Sequence, residues 1–304
     1  MSYLRHIHRC NSHDLSGFRR FLVAGTAVGW VRHATAALLT RFPAVFRVEE
    51  TALCIHPDVA TPQDRSEAVA TVLEELAADG AVEPLRRELY PVKKGWHEPE
   101  LLRLDRAAAP LFGLSAWGVH ATGYVRRPDG GYRLWIGHRA PDKRVEPNKL
   151  DSFIGGGQPA GMTFLDNLVK EAEEETGLPA AIARTARPAG TVSYTMESDA
   201  GLKVDTLVLF DIEVPADFTP ASTDGEHQAF HLMDAEEVLA RLRDSDDFKF
   251  NIPLVLLDFC IRRGILGPDD TPEYEELVTG LHPPRPRRRQ FMAQQARTSA
   301  LVAE

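Results

Sequence analysis

Apolar residues along the chain follow two periods. In TPQDRSEAVATVLEELAADG (61–80), Val69, Val72, Leu73 and Leu76 recur three and four apart, which predicts a helix with one buried stripe. Thr61 suits its N-cap, Pro62 its first turn and Gly80 its end. VFRVEETALCI (45–55) is rich in β-formers and predicts a strand. From LFGLSAWGVHATGYV onward strands dominate, and segments 118–126 and 132–138 flank PDGG, a hairpin turn. Further strands are expected near 188–195, 203–213 and 228–233, and helices near 234–243 and 252–263, with Pro253 tolerated in a first turn. The pattern predicts an α+β chain in three parts: a smaller mixed domain (1–112), a strand-rich domain (113–265), and a Pro- and Arg-rich, partly flexible extension (266–304). The extension holds HPPRPRRRQ (282–290), a basic run read as a solvated end.

Composition narrows the classes. An apolar share of 43% is enough to fill a globular core. A net charge of −9 argues against general affinity for nucleic acid, which needs a positive footprint. The three cysteines, Cys10, Cys54 and Cys260, show neither metal-like nor disulfide-like spacing, which fits a reducing compartment. No stretch approaches the roughly 18 apolar residues of a membrane span. The N-terminus, MSYLRHIHRC, is basic without an apolar run; it reads as a first helix rather than a targeting segment, so a cytoplasmic protein is expected.

Candidate chemistry concentrates in FIGGGQPAGMTFLDNLVKEAEEETGLP (153–179), a glycine loop leading into an acidic helix. Thr163 can cap that helix, with Asp166 three residues on; Leu165, Leu168, Val169 and Ala172 form its buried stripe, and Gly177 ends it. At about 100° per residue Glu171, Glu174 and Glu175 share one sector, while Glu173 points elsewhere. Alone, such a run also describes a solvated acidic face. Like charges repel, however, and a divalent cation would reverse the sign of their interaction. The glycines would let backbone approach a metal or phosphate, with the Gly156 carbonyl as a ligand.

The arrangement resembles the Nudix box, which runs Gly, five residues, Glu, seven residues, Arg-Glu, an aliphatic, any residue, Glu-Glu, any residue, Gly and an aliphatic. Gly156 opens it, and Lys170, Glu171, Ala172, Glu174, Glu175, Gly177 and Leu178 fill its later positions. Two positions depart: Met162 replaces the first Glu, and Lys170 replaces the Arg, keeping the charge but losing the bidentate fork. The resemblance spans roughly residues 113–263 and implies a mixed sheet sandwiched between helices. GVHATGYVRR, WIGHRA and DGEHQAFHLM also resemble the thiamine pyrophosphokinase-related Nudix proteins with an N-terminal DUF4743 domain.

That likeness implies an Mg²⁺-dependent enzyme, with Mn²⁺ as an alternative, in which Glu171, Glu174 and Glu175 hold metal. It would cleave thiamine diphosphate, and preferentially its oxo- and oxy-analogues, to monophosphates. Nucleoside diphosphate derivatives such as ADP-ribose or dinucleotides are an alternative substrate class, and a non-catalytic ligand-sensing module is a third reading. Glu174 and Glu226 are both candidate general bases. Arg139 and Lys149 flank the loop before the box and are candidates for phosphate oxygens, though surface charge explains them too. His120 and Tyr194 are candidates for the pocket wall, whereas Trp135 is expected in the core. Isopentenyl diphosphate isomerases share the fold but rely on a cysteine, and none of the three cysteines falls in the expected site region. The expected partner is a small-molecule diphosphate, without nucleic acid or membrane; a homodimer is left open.

Overall fold

The computed structural model describes residues 2–283; most of the predicted basic tail lies outside the described residues. The chain opens with α1 (Leu4–Cys10), β1 (Phe18–Val23), β2 (Thr26–Arg32), α2 (His33–Leu39), β3 (Phe46–Val48) and β4 (Ala52–Ile55). Then come α3 (Pro62–Ala78), β5 (Leu89–Val92) and β6 (Leu102–Asp105). β1–β4 form a four-stranded sheet in the order β2-β1-β4-β3, and β5 pairs with β6. The stretch read as one strand over 45–55 is a hairpin. Exposed Glu49, Glu50 and Thr51 interrupt the apolar run, and the Glu49 N–H donates to the Ala52 carbonyl to close the turn. α3 carries a full capping box, in which Thr61 Oγ1 accepts from the Asp64 N–H and the Asp64 carboxylate accepts from the Thr61 N–H. Its stripe, Val69, Val72, Leu73 and Leu76, is buried with Phe21, Leu53 and Phe112.

The second half holds β7 (Ser115–Arg126), β8 (Tyr132–Arg139), β9 (Leu150–Asp151), β10 (Ile154–Gly157), α4 (Phe164–Thr176) and α5 (Ala180–Ala183). It continues with β11 (Arg187–Ser198), β12 (Gly201–Glu213), β13 (His227–Asp234), α6 (Ala235–Asp244), α7 (Ile252–Arg262) and α8 (Tyr274–Gly280). The sheet runs β11-β12-β7-β8-β13; β7 and β12 are parallel and the other neighbours antiparallel, so it is mixed. One face packs Val119, Ala121 and Phe210 against Leu168, Val169 and Ala172 of α4. The other packs Leu134, Ile136 and Leu209 against α6 and α7. Helices therefore cover both faces, as expected.

Two details position the site. β8 pairs with β7 only over Tyr124–Arg126, and further along β10 takes the place beside β7, with Gly155 opposite His120 and Gly157 opposite Gly118. The GGG stretch, read from sequence as a flexible loop, is thus a strand, because its N–H and C=O groups complete a ladder. The second detail is α1. This basic first helix buries Leu4, Ile7 and Cys10 with α7 and α8, in the core of the second half. The segment after 266 begins packed as well, with Leu266, Leu277 and Leu281 in that same core.

The halves are joined by main-chain contacts. The Ala160 N–H donates to the Leu89 carbonyl (2.8 Å) and the Leu202 N–H to the Pro110 carbonyl (2.9 Å). Gly201 makes the second approach: it has φ +131°, and a Cβ there would press into the Pro110 carbonyl. Gly201→Ala is expected to lower unfolding stability by about 2 kcal/mol or more, read as a lower urea midpoint; an unchanged midpoint would show that this junction is loose.

Candidate functional site

Helix α4 begins at Thr163, whose hydroxyl accepts from the Asp166 N–H (3.1 Å), and ends at Gly177 with φ 66°. The apolar stripe fixes its rotation, and the acids follow from that rotation. Glu175 is buried, and its Oε2 accepts from the Gly155 N–H at 2.8 Å. Glu171 lies over Gly156, where any Cβ would sit inside the van der Waals shell of its carboxyl group. Gly118 has a similar restriction, since a Cβ there would come within 2.9 Å of the Gly156 carbonyl. Glu174 turns to the rim and pairs with Lys170 at 2.7 Å, and Lys170 also reaches Glu171 at 3.2 Å. The lysine ammonium therefore bridges two of the acids.

Electrostatics distinguish these carboxylates. Burial raises the Glu171 pKa, against the opposing pull of Lys170. Burial, reinforced by the charge of Glu171, pushes Glu175 well above the usual carboxylate range, and the Gly155 N–H only partly offsets this. Neighbouring Asp151 behaves oppositely. Burial favours its neutral form, yet Lys249 (3.1 Å) and Arg139 (2.8 Å) outweigh that and hold its pKa well below the ordinary value. His120 is buried with Nδ1 2.9 Å from Ser152 Oγ, and burial, with Lys249 nearby, lowers its pKa to about 4. It stands neutral at pH 7.

These groups line a cleft of about 520 Å³, a size typical of small-ligand sites. The β10 glycines, Glu171, Glu174, Glu175, His120, Arg139, Tyr194 and Glu226 all border it. Their surroundings qualify two of the expectations. Arg139 is buried and already committed to Asp151, to Glu226 at 2.5 Å and to the Val145 carbonyl, so it organises the wall rather than waiting for a phosphate. Glu226 also accepts from Lys143 (2.9 Å); burial is outweighed by these cations and its pKa is lowered, which makes it a weak base.

Lys149 requires a correction. It donates to the Asp246 carbonyl and borders a separate groove with His138 and His231, because the chain around Asn148 (φ 59°) turns it away from the cleft. Lys249, flanked by buried Phe248 and Phe250, borders the cleft instead, as do Lys170 and Lys203. Trp135 packs beside Phe153 and Leu168 in the core, as expected. Sequence reasoning also missed Asp151, Asp205, and Glu88, Tyr90 and Arg106 of the N-terminal half, all but the first of which border the cleft. The Phe-Lys-Phe alternation at 248–250 was the one available signal.

Comparison with known proteins agrees with this geometry. A profile of a domain of unknown function, DUF4743, matches residues 2–116, and a NUDIX domain profile matches residues 116–251. Nudix hydrolase 20, chloroplastic, of Arabidopsis thaliana is 37% identical over 282 residues, covering 88% of this chain and 75% of that protein. The chain belongs to the Nudix hydrolase family. Nudix hydrolase 24, chloroplastic, of the same plant is 36% identical, covering 92% of this chain and 77% of that protein. Among solved structures, DR0079 from Deinococcus radiodurans overlays with a TM-score of 0.37 at 21% identity, over 47% of this chain and 81% of that one. The protein is thus an enzyme of the Nudix diphosphate-hydrolase class.

Nudix hydrolases generally use divalent cations, and the residues here fit one. Two recessed carboxylates face the three β10 glycines, and burial raises the pKa of both. Among the described residues no group of three His, Cys, Asp or Glu side chains is arranged to hold a metal as it stands, and Glu174 is paired with Lys170. The Lys170 ammonium meanwhile supplies positive charge between Glu171 and Glu174.

The Glu175 shift has a measurable consequence in metal-free protein. Its unfolded-state pKa is near the ordinary glutamate value of 4.5 and its folded pKa lies well above it, so between the two the folded chain holds a proton that the unfolded chain has lost. Stability contributed at Glu175 is therefore highest below that value and falls as pH rises toward the folded pKa. With a chelator present, Glu175→Gln is expected to raise the melting temperature at pH 7–8, with the gain vanishing toward pH 4.5; a pH-independent difference would contradict the assignment.

Proposed function

We propose that the protein hydrolyses thiamine diphosphate, and preferentially its oxo- and oxy-analogues, to the monophosphates in a reaction requiring Mg²⁺. The observation that carries a hydrolytic metal site is the pairing of buried Glu175 and recessed Glu171 with the glycines of β10 inside the cleft. The thiamine assignment is supported by GVHATGYVRR, WIGHRA and DGEHQAFHLM together with the DUF4743 match. Tyr194 and Phe250 give the cleft aromatic surface for a heterocycle. That surface suits a nucleobase equally, so nucleoside diphosphate derivatives are the second reading.

Glu171, Glu174, Glu175 and the Gly156 carbonyl are the groups that would hold Mg²⁺, with Mn²⁺ as a substitute. Bound there, the ion would neutralise diphosphate charge and acidify water. The remaining work falls to this chain's own residues. The Gly155 N–H fixes the Glu175 carboxylate, and the absence of a Cβ on Gly156 lets the Glu171 carboxyl pack against the strand backbone. Lys170 is the resting counter-ion of Glu171 and Glu174. Proton acceptance is assigned to Glu174, which can leave its single lysine partner at the rim, in preference to Glu226, which two cations hold. Water attacks phosphorus and the diphosphate bridge breaks.

A panel of thiamine diphosphate, oxythiamine diphosphate, ADP-ribose and a dinucleoside polyphosphate, each with Mg²⁺ or chelator, tests this reading. Turnover is expected with the thiamine compounds; activity on nucleotides alone would move the enzyme to the second reading. Glu171→Gln and Glu175→Gln are each expected to cut kcat about a hundredfold or more, with fold preserved by circular dichroism. Wild-type rates in both would remove the metal assignment. Glu226→Gln is expected to cost less than about tenfold, because its charge serves Arg139 and Lys143; a loss of about a hundredfold, in the range of a removed general base, would reassign that role.

A further inference from the structure

The N-terminal half supplies part of the cleft wall. β5 and the turn after β6 bring Glu88, Tyr90 and Arg106 to its edge, beside the β10 glycines and Glu171. This wall is held in register. The Ala160 N–H, just past β10, donates to the Leu89 carbonyl at 2.8 Å. The Tyr90 hydroxyl fills the space that a side chain on Gly157 would need. Asp105, buried, accepts from the N–H groups of Arg86, Arg87 and Ala107, and the Arg106 N–H donates to the Glu88 carbonyl at 2.9 Å. The backbone of Arg106 is therefore fixed, while its side chain is half-exposed at the cleft.

The cations bordering the cleft differ in how fully they are engaged. Arg139 holds Asp151 and Glu226, Lys249 holds Asp151, Lys170 holds two helix acids, and Lys203 lies 5.0 Å over the Phe250 ring beside Asp205. Arg106 pairs with Glu88 through Nη1 alone and lies 6.0 Å from the Tyr90 ring centroid. Its Nε and Nη2 donors have no protein acceptor among the described residues. A planar fork with unused donors, on the side of the cleft facing Glu171, matches the oxygens of a phosphoryl group.

We propose that Arg106 is a substrate-binding residue that grips the diphosphate from the N-terminal domain, so that the active site is complete only with both domains. The proposal rests on the diphosphatase reading and deepens it. Glu88 serves as the resting partner that keeps the guanidinium in place, and Tyr90 is the surface along which it lies.

The test compares wild type, Arg106→Ala, Arg106→Lys, Glu88→Gln and, as a surface control, Arg103→Ala. Calorimetry with methylenediphosphonate and Mg²⁺ gives affinity without turnover, and steady-state kinetics gives KM and kcat separately. Arg106→Ala is expected to weaken probe binding and raise KM about tenfold or more, with kcat changed less than about threefold and the unfolding midpoint unchanged. Arg106→Lys is expected to recover part of the loss, and Arg103→Ala to match wild type. Glu88→Gln, which frees the guanidinium, is expected to bind at least as tightly as wild type. Wild-type affinity in Arg106→Ala overturns the proposal, as does a Glu88→Gln variant that reproduces the loss, because the arginine would then only buttress its own domain. A wild-type enzyme that turns over no diphosphate defeats the hydrolase reading separately, since probe affinity alone decides the role of Arg106.

Discussion

The site depends on one close approach, that of helix α4 to the three glycines of β10. The Glu175 carboxylate can be buried only because the Gly155 N–H meets it at 2.8 Å, and Glu171 can lie above Gly156 only because no Cβ stands there. Two carboxylates brought this close in a poorly hydrated place raise each other's cost of ionisation. Strand β10 in turn sits where it does because β8 separates from β7 beyond Tyr124, leaving an edge for the glycines to pair with.

Charge around this pair is arranged in layers. Asp151 is neutralised twice, by Arg139 and Lys249, and so stays ionised despite burial. Arg139 extends the network to Glu226, and Lys143 closes it. Acids in this layer have lowered pKa values, while the two against the glycines have raised ones. That contrast separates carboxylates held by two cations in the wall from carboxylates buried against the glycines.

The two matched domains meet at this cleft. Main-chain hydrogen bonds at Pro110 and Leu89 tie the N-terminal half to the Nudix domain, and the contact of Tyr90 with Gly157 brings the N-terminal half against the glycine strand. The first helix crosses over to pack with α7 and α8, so the N-terminal half wraps the Nudix core at two places.

Local pattern determined a good deal. The stripe of Leu168, Val169 and Ala172, the caps at Thr163 and Gly177, and the hairpin at PDGG follow from neighbours within a few residues, and the structure has them. The box spacing marked the acidic helix because i, i+3 and i+4 positions share a face whatever the tertiary context. Tertiary structure alone decided the rest. Lys149 and Lys249 are indistinguishable as lysines in sequence, and only a left-handed turn at Asn148 and the pairing of Leu150 with Phe248 send one away and the other inward. A GGG stretch becomes a strand only when β7 offers it a free edge. Arg106 lies far along the chain from the acids it faces, and contacts across such separations are set by how two sheets dock, which no local period encodes.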